Sequence, residues 1–248
     1  MHTSDQDIVV SKILTLDIGG TTIKATVLDR TGNLLQDYKK MPTPKNATPQ
    51  TVLETIQNLV TGFQDYDKIS VGFPGYVKKG IVYTAANLGT AAWKNVDLNK
   101  LISDTFHKPV RVVNDADMQG LGVASGVGFE IVITLGTGFG TALLLDGHLL
   151  PHIELAHHAI TKKKTYDDYI GDRALKNSGK EKWNERMKRV LEMLKVVFNY
   201  DRLYIGGGNS DKLMFKLDEN IKIITNKDGI KGGARLWQLD ENLFMKTK

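Results

Sequence analysis

Two similar segments, separated by about half the chain, constrain the fold of this 248-residue sequence more than any other feature. Residues 13–29 read ILTLDIGGTTIKATVLD, and residues 131–147 read IVITLGTGFGTALLLDG. Each segment has an apolar β-type run, a turn rich in glycine and threonine, and a second β-type run. Hairpin turns favour glycine in general, so either turn alone is weak evidence. The matched pair predicts two duplicated α/β lobes that face a cleft.

The length fits two lobes, because 248 residues divided by about 150 per domain gives between one and two domains. We assign residues 1–113 to an N-terminal lobe and residues 114–248 to a C-terminal lobe. A last helix near 235–248 can pack back on the first lobe. The predicted fold class is α/β, with a mixed sheet in each lobe.

Hydrophobic periodicity places the elements within these lobes. The chain opens as an antiparallel meander whose third strand is predicted at Leu34–Lys40. Thr48 can cap a helix that has Pro49 at its first position, and Asp97 can cap another. The other predicted strands are Ile13–Ile18, Thr21–Asp29, Ile69–Phe73, Ile81–Thr84, Pro109–Val113, Glu130–Leu135, Phe139–Asp146, Arg202–Ile205 and Ile221–Thr225. The other predicted helices are Ala116–Ser125, Lys182–Phe198, one between Gly208 and Ile221, and a last one after Gly232–Gly233.

The composition excludes several classes of protein. The chain has no cysteine, which excludes thiol nucleophiles, disulfides and thiolate zinc sites and is consistent with a reducing compartment. No window reaches about 18 apolar residues and no secretory apolar region begins the chain, so we expect a cytoplasmic protein without a membrane span. The net charge of +5 suits an anionic ligand, but it is too small and too dispersed to predict nucleic-acid binding.

The first glycine turn has the features of a phosphate site. Backbone N–H groups can approach a phosphate closely only where side chains are absent, and threonine hydroxyls add donors. Asp17–Lys24 (DIGGTTIK) combines two glycines and two threonines with a cationic amine and a carboxylate able to hold Mg²⁺. A strand rather than a helix follows each of the two turns, so neither turn is a Walker loop or a dinucleotide fingerprint.

Eight short motifs follow one another along the chain. They are DIGGTTIK, GFPGYV, TAANL with a later tryptophan, VNDAD, LGTGFGT, IELAHH, YIGGGNS and NKDGIKGGA. In this order they resemble the ROK family of sugar kinases, which belongs to the actin-like superfamily, and within it the polyphosphate glucokinase (glucomannokinase) branch. The resemblance runs from about Ile13 to Ala234. It implies an actin-like two-lobed fold and transfer of a phosphoryl group from polyphosphate or ATP, with Mg²⁺, to the 6-hydroxyl of glucose or a related hexose.

The resemblance also implies a role for each matching residue. Asp115 matches the catalytic aspartate, which accepts a proton from the sugar hydroxyl; at an ordinary pKa of about 3.9 it is ionised at neutral pH. A helix N-cap is the alternative role for Asn114 or Asp115. The implied sugar contacts are Gly75, Asn87, Asn114, Asp115, Glu154 and His157. The implied donor contacts are Gly19, Gly20, Thr21, Thr22, Lys24, Thr137, Gly138, Gly207 and Gly208. Asp17 is expected to hold Mg²⁺ directly or through water, and a homodimer is expected.

Three features depart from the family pattern. Ala156 replaces the glycine of Glu-Leu-Gly-His, and its methyl group is expected to crowd the sugar pocket unless the backbone adjusts. The segment 88–93 differs in spacing and content. Most members carry a cysteine-rich zinc motif that this chain lacks, so no zinc is expected. The identity of the sugar and the choice between polyphosphate and ATP therefore stay open.

Two alternative functions keep the same fold. One is a non-catalytic sugar-binding sensor, since the family includes transcription factors; these carry an N-terminal helix-turn-helix, for which the strand at Ile13–Ile18 begins too early. The other is a kinase for an N-acylated amino sugar or for a carboxylate. The lysine runs at 39–40, 78–79 and 162–164 can line a polyphosphate track or lie in solvated loops.

Overall fold

The computed structural model describes residues 11–240 and Phe244. Its first half contains β1 (Ile13–Ile18), β2 (Thr22–Leu28), β3 (Lys39–Pro42), α1 (Pro49–Leu59), β4 (Lys68–Phe73), β5 (Val77–Lys78), β6 (Ile81–Val82), α2 (Thr90–Trp93), α3 (Leu98–Phe106) and β7 (Val110–Asn114). Its second half contains α4 (Asp115–Val123), β8 (Phe129–Leu135), β9 (Phe139–Leu145), β10 (His148–Leu149), β11 (Ala159–Thr161), β12 (Lys164–Thr165), α5 (Tyr166–Ile170), α6 (Asp172–Ser178), α7 (Lys180–Phe198), β13 (Arg202–Gly206), β14 (Ile221–Ile223), α8 (Asn226–Ile230) and α9 (Gly232–Arg235). Short 3₁₀ helices lie at Leu155–His157, Ser210–Lys212 and Leu236–Gln238.

The two large sheets have the same topology. Their strand orders are β3-β2-β1-β4-β7 and β10-β9-β8-β13-β14. β1 pairs antiparallel with β2 and parallel with β4, and β8 pairs antiparallel with β9 and parallel with β13. The two repeated segments of the sequence therefore form equivalent hairpins, and the predicted duplicated α/β fold with mixed sheets is confirmed.

Helix α1 begins as its sequence predicts. The Thr48 hydroxyl accepts a hydrogen bond from the Thr51 N–H, and Pro49 occupies the first turn. One face of the helix buries four apolar side chains, among them Ile56 and Leu59. Burial of each such side chain stabilises the fold by roughly 1.5–3 kcal/mol. Trp93 is completely buried in the same core and donates its Nε1–H to the Ala47 carbonyl, so its role is packing.

The core of the second lobe lies between its sheet and α7. The inner face of this helix presents Trp183, Met187 and Leu194, all buried against β8 and β13 side chains. Trp183 donates its Nε1–H to the Ile170 carbonyl, which satisfies the only polar atom of a buried indole. The 3.6-residue periodicity of the sequence from 182 to 198 thus corresponds to a helix with one buried face.

Glycines allow α4 to approach the helices near the C-terminus. A Cβ atom on Gly232 would overlap the Met118 carbonyl oxygen, and one on Gly122 would lie 2.5 Å from the carbonyl oxygens of Asp228 and Gly229. Backbone therefore packs directly on backbone at this crossing. The contact fixes the position of α4, whose first residue is Asp115.

The end of the described chain packs on the first sheet. The Ser70 hydroxyl on β4 donates to the Gly233 carbonyl and lies 2.9 Å from Nε1 of Trp237. The Arg111 guanidinium donates to the Leu236 carbonyl and lies over the Trp237 ring. Residues 241–243 and 245–248, part of the predicted last helix, lie outside the described residues. We propose that the lobes divide at 113/114, with residues 232–239 packed against both the first sheet and α4 of the second lobe.

The structure differs from the sequence prediction in a few elements. The third strand is Lys39–Pro42, four residues that begin five positions later than predicted. The adjacent Leu34 and Leu35 are both exposed, because this stretch has no buried face to hold it in a sheet. The strand predicted at Ile81–Thr84 is only Ile81–Val82, and the helix after Gly232 ends at Arg235. The helix predicted between Gly208 and Ile221 is wrong: this segment has only the 3₁₀ turn Ser210–Lys212. None of the described helices is long and apolar enough to cross a membrane.

Candidate active site

A cleft of about 500 Å³ lies between the carboxyl ends of the two sheets. Every residue for which the sequence predicts a catalytic, sugar, donor or metal role lines this one cavity. They are Asp17, Gly19, Gly20, Thr21, Thr22, Lys24, Gly75, Asn87, Asn114, Asp115, Thr137, Gly138, Glu154, His157, Gly207 and Gly208. The two glycine turns face each other directly, since the hydroxyl oxygens of Thr21 and Thr137 are 3.2 Å apart.

The first turn needs its glycines for steric reasons. A Cβ atom on Gly19 would lie 2.8 Å from the Thr22 carbonyl oxygen, and one on Gly20 would lie 2.9 Å from Cβ of Asn87. The Thr43 hydroxyl donates to the Gly19 carbonyl at 2.7 Å and holds the turn from behind. Asn87, a predicted sugar contact, is thus packed against the predicted phosphate turn.

Asp167 supports the second turn. This residue near the start of α5 accepts a 2.6 Å hydrogen bond from the Phe139 N–H, and a Cβ atom on Gly138 would lie 3.0 Å from its carboxylate. Asp167 also lines the cleft. Asp167 was not predicted from the sequence. The Thr-x-x-Asp pattern of Thr165–Asp168 is a common helix start, and it does not indicate that the adjacent Asp167 belongs to a site.

Asp115 is the first residue of α4, directly after β7. The N-cap is Asn114, whose Oδ1 accepts hydrogen bonds from the N–H groups of Ala116 and Asp117. The alternative capping role therefore belongs to Asn114. The Asn114 Nδ2 donates to the Gly75 carbonyl at 3.1 Å, which leaves the second Nδ2 proton for a ligand.

The ionisation of Asp115 differs from the sequence-based expectation. Burial, followed by the negative charge of Asp17, raises the pKa of Asp115 to about 7. A hydrogen bond from the Ala116 N–H and the positive charges of Lys24 and His152 act in the opposite direction and are outweighed. The expected ordinary value near 3.9 was wrong, because it assumed a solvated carboxyl group. A carboxylate with a pKa near the working pH is well matched to general-base catalysis.

Asp17 and Lys24 face each other across the first hairpin, since they are directly paired residues of β1 and β2. Their side chains form a 2.7 Å ion pair and are nearly buried. Burial lowers the pKa of Lys24, but the Asp17 carboxylate more than compensates, so the net pKa is raised and the amine stays charged. The pair brings one anionic and one cationic group to the cleft wall beside the first turn.

The loop after β13, for which the sequence predicts donor contacts, is shaped by Gly207. Its φ of +86° is one that L side chains rarely adopt, and a Cβ atom would overlap the Leu135 carbonyl oxygen. The Asn209 N–H donates to the same carbonyl at 2.9 Å, which ties the loop to the second turn. A Cβ on Gly208 would meet no atom within 4 Å, so the backbone here is open to a ligand.

The lysine runs lie elsewhere. None of the residues at 39–40, 78–79 and 162–164, all within the described chain, lines the cleft; the lysines that do are Lys24 and Lys176. These runs therefore lie outside the cleft wall, and Lys39 instead lies over the Phe63 ring. Ala156, the residue that departs from the family pattern, is buried in the 3₁₀ turn at Leu155–His157 and forms part of the cleft wall beside Glu154.

The sequence analysis also missed Gln119, Thr84 and His152. Gln119 follows Asp115 by one helical turn and lines the cleft, and this i, i+4 spacing was a usable signal. Thr84 lines the cleft beside Gly75. His152 lies behind Glu154 and precedes it by two residues. Residues i and i+2 of an extended segment point to the same side, and this spacing could have indicated that the two side chains meet.

Comparison with known proteins supports one family. The model of the ROK family matches residues 13–154. The polyphosphate glucokinase of Mycobacterium tuberculosis strain H37Rv is 32% identical over 235 residues, which cover 88% of each chain. The glucokinase of Streptomyces coelicolor is 30% identical over 203 residues, covering 72% of this chain and 62% of the relative.

A solved structure supports the fold over nearly the whole chain. The inorganic polyphosphate/ATP-glucomannokinase of Arthrobacter sp. strain KM superposes with a TM-score of 0.82 at 30% identity, covering 92% of this chain and all of that one. The ROK-family glucokinase of Streptomyces griseus, 21% identical, shares the fold with a TM-score of 0.76. The predicted actin-like architecture is confirmed, and with a family model that matches more than half of the sequence, the chain belongs to the ROK family.

Proposed function

We propose that this chain is a sugar kinase that transfers a phosphoryl group from polyphosphate, ATP or both to the 6-hydroxyl of glucose or a related hexose. One observation carries the proposal: both glycine–threonine turns and the Asp115 carboxylate line the same cleft, with the turn hydroxyls 3.2 Å apart. The names of the Mycobacterium and Arthrobacter relatives supply the donor and the sugar class.

Asp115 is the proposed general base. Its carboxylate accepts the proton of the attacking hydroxyl as the new O–P bond forms and the bond to the leaving phosphate oxygen breaks. Phosphoryl transfer requires mainly positioning and charge stabilisation, so the carboxylate aligns the hydroxyl and receives the proton late. The position of Asp115 at the first turn of α4, held by the glycine contacts of that helix, supports this alignment.

The proposed donor site consists of the backbone N–H groups of Gly20 and Gly138, threonine hydroxyls and the loop at 207–208. Gly19 shapes the turn, since its own N–H donates to the Thr22 carbonyl at 3.0 Å. The described residues contain no group of three side chains able to hold a metal ion by themselves. Mg²⁺ bound to a nucleotide or polyphosphate usually keeps several waters and takes one or two carboxylates from the protein. Asp17 lines the cleft and pairs with Lys24 through Oδ2, so its carboxylate would supply one ligand to such a shared ion, directly or through water, and the ion would neutralise phosphate charge beside Lys24.

The proposed sugar site borders the proposed donor site, since Asn87 packs against Gly20 of the first turn. Asn87, the free Nδ2 proton of Asn114, Glu154 and His157 present donors and acceptors that a sugar with matching hydroxyls can satisfy. Groups left unpaired by a wrong sugar make such a site selective. Gly75 allows close approach of the chain here, since a Cβ would overlap the Thr84 carbonyl oxygen. Closure of the lobes would exclude water from the donor. The homodimer that the family resemblance implies and the cytoplasmic location expected from the sequence belong to this proposal.

A coupled assay that crosses glucose, mannose and N-acetylated sugars with ATP and polyphosphate tests the proposed function. We expect glucose 6-phosphate to form with at least one donor and to require Mg²⁺. Stabilisation of the protein by a sugar in a thermal melt, without product from any pair, would instead identify a sensor. Faster turnover of an N-acetylated sugar than of glucose would assign the enzyme to the amino-sugar kinases.

The pH dependence of catalysis should reflect the ionisation of Asp115. Because its pKa is raised to about 7, the group is protonated and inactive as a base below that pH. We expect kcat/KM for the sugar to rise about tenfold per pH unit below about 7 and to level off above it, since kcat/KM reports the free enzyme. The measurement is a pH series at saturating donor. A profile that stays flat down to about pH 5 would contradict the raised pKa.

A further inference from the structure

A buried histidine connects two acidic residues behind the proposed sugar site. Nδ1 of His152 lies 3.0 Å from Oδ2 of Asp117, and Nε2 lies 3.5 Å from Oε1 of Glu154. The side chain of His152 is 7% exposed, that of Asp117 9% and that of Glu154 29%. Asp117 is on α4, two residues after Asp115. The cluster therefore links the helix of the proposed base to a proposed sugar contact.

The two oxygens of Glu154 have different surroundings. Oε1 is buried and faces His152, whereas the residue as a whole lines the cleft. Oε2 lies 3.9 Å from Nε2 of His157. The Thr84 hydroxyl, from the other lobe, also acts to lower the pKa of this carboxyl group. One oxygen is thus held inside the protein while the group as a whole remains available to a ligand.

Residues of the first lobe cover the outer side of His152. The ring of Tyr76 stacks on it with a centroid separation of 6.0 Å and an interplanar angle of 14°. The Tyr76 N–H donates to the Thr84 hydroxyl at 2.9 Å. His152 therefore has a carboxylate within ion-pair distance of each ring nitrogen and an aromatic ring on one face.

The charges of the cluster favour the imidazolium form. Burial alone would lower the pKa of His152, but Asp117 and Glu154 outweigh it and raise the pKa to about 10. Burial likewise acts to raise the pKa of Glu154, but His152 outweighs it and the net pKa is lowered. A buried carboxylate with one cationic partner stays ionised, whereas one without a partner tends to take up a proton.

We propose that His152 is a positioning residue that acts through Glu154: anchored by Asp117, it holds the Glu154 carboxylate ionised and oriented to accept hydrogen bonds from the sugar. This inference rests on the proposed function, because it takes Glu154 as a sugar contact. A purely structural ion pair would need only Asp117 and one ring nitrogen. Here the second nitrogen faces a cleft residue, which gives the pair a role in binding.

Other titratable groups lie near the cluster, and their effects on a pH profile must be distinguished from those of His152 and Glu154. Asp115 interacts electrostatically with His152, and Asp167 with Glu154 and His157. Tyr76 faces the ring from the first lobe. A pH experiment on His152 alone would also report on Asp115, so the design needs a background in which Glu154 cannot ionise.

The test compares His152→Asn and His152→Gln with the wild type and with His148→Asn, an exposed histidine of β10 outside the cleft lining. Loss of a charge-assisted contact predicts a rise of about tenfold or more in the sugar KM. We expect kcat and the donor KM to change less than about threefold, and His148→Asn to match the wild type. Circular dichroism checks the folding of both variants, and if one of them folds poorly the other still tests the proposal.

Titration calorimetry with glucose in the absence of donor supplies the second readout. The ratio of Kd between His152→Asn and the wild type should grow as the pH falls from about 8 to 5.5, because Glu154 takes up a proton more readily without its cationic partner. In a Glu154→Gln background the same substitution should change Kd less than about twofold at every pH. An equal effect in both backgrounds would show that His152 does not act through Glu154 and would overturn the proposal.

The results separate this inference from the proposed function. A wild type that phosphorylates a hexose, with both His152 variants folded and unchanged in sugar KM, overturns only the role of His152. A wild type that neither binds nor phosphorylates any sugar of the panel overturns both.

Discussion

Replacement of Asp115 by Asn is expected to lower kcat/KM for phosphoryl transfer by about a thousandfold, within the 10²–10⁴ range of general-base contributions. The amide keeps the size of the carboxylate but cannot accept the proton of the sugar hydroxyl. The thermal midpoint should not fall, because the substitution removes a carboxylate whose ionised form is disfavoured by burial and by Asp17. The measurement is the coupled assay together with a thermal melt.

Asp104→Asn is the control for this substitution, since Asp104 is exposed and pairs only with Lys100 among the contacts the structure gives it. It should leave turnover and stability unchanged, because exposed ion pairs contribute little. If Asp115→Asn keeps more than about a tenth of the wild-type kcat/KM, Asp115 is not the general base.

Gly232→Ala is expected to lower the free energy of unfolding by on the order of 3 kcal/mol. The added methyl group would overlap the Met118 carbonyl oxygen and lie 2.8 Å from the Gly122 nitrogen, both backbone atoms of α4 that no side-chain rotation can move. For a chain of this length such a loss lowers the thermal midpoint by about 6–12 °C. A melt monitored by circular dichroism measures it.

Gly136→Ala provides a matched comparison. A Cβ at this glycine would meet no atom within 4 Å, so its midpoint should stay within about 2 °C of the wild type. If Gly232→Ala also stays within that range, the backbone contact between α4 and α9 is looser than the structure describes.

The sequence predicted the fold well because its strongest signal is a repeat. The matched hairpins at β1–β2 and β8–β9 specify two equivalent sheets, and each glycine turn follows directly from a buried strand. The cleft residues were also predictable, since strand ends and glycine turns of both halves meet at one edge. Each of them lines the cavity.

Properties that depend on residues distant in the sequence could not be predicted. The pKa of Asp115 depends on burial and on Asp17, almost a hundred positions earlier. The register of β3 depends on which face of the segment 34–42 packs against the rest of the protein. Leu34 and Leu35 are apolar and predicted a strand, but both are exposed in the structure. The Asp117–His152 pair joins a helix to a loop 35 residues later, and a single histidine carries no signal for such a contact in one sequence.

The packing of residues 232–239 on the first sheet has a consequence for biosynthesis. The ribosome synthesises the first lobe early, but Ser70 and Arg111 gain their partners Gly233, Leu236 and Trp237 only after residues 233–237 have been made. Until then the face of β4 and β7 that these residues cover stays exposed in the nascent chain, so the first lobe cannot complete its packing before most of the second lobe has been synthesised.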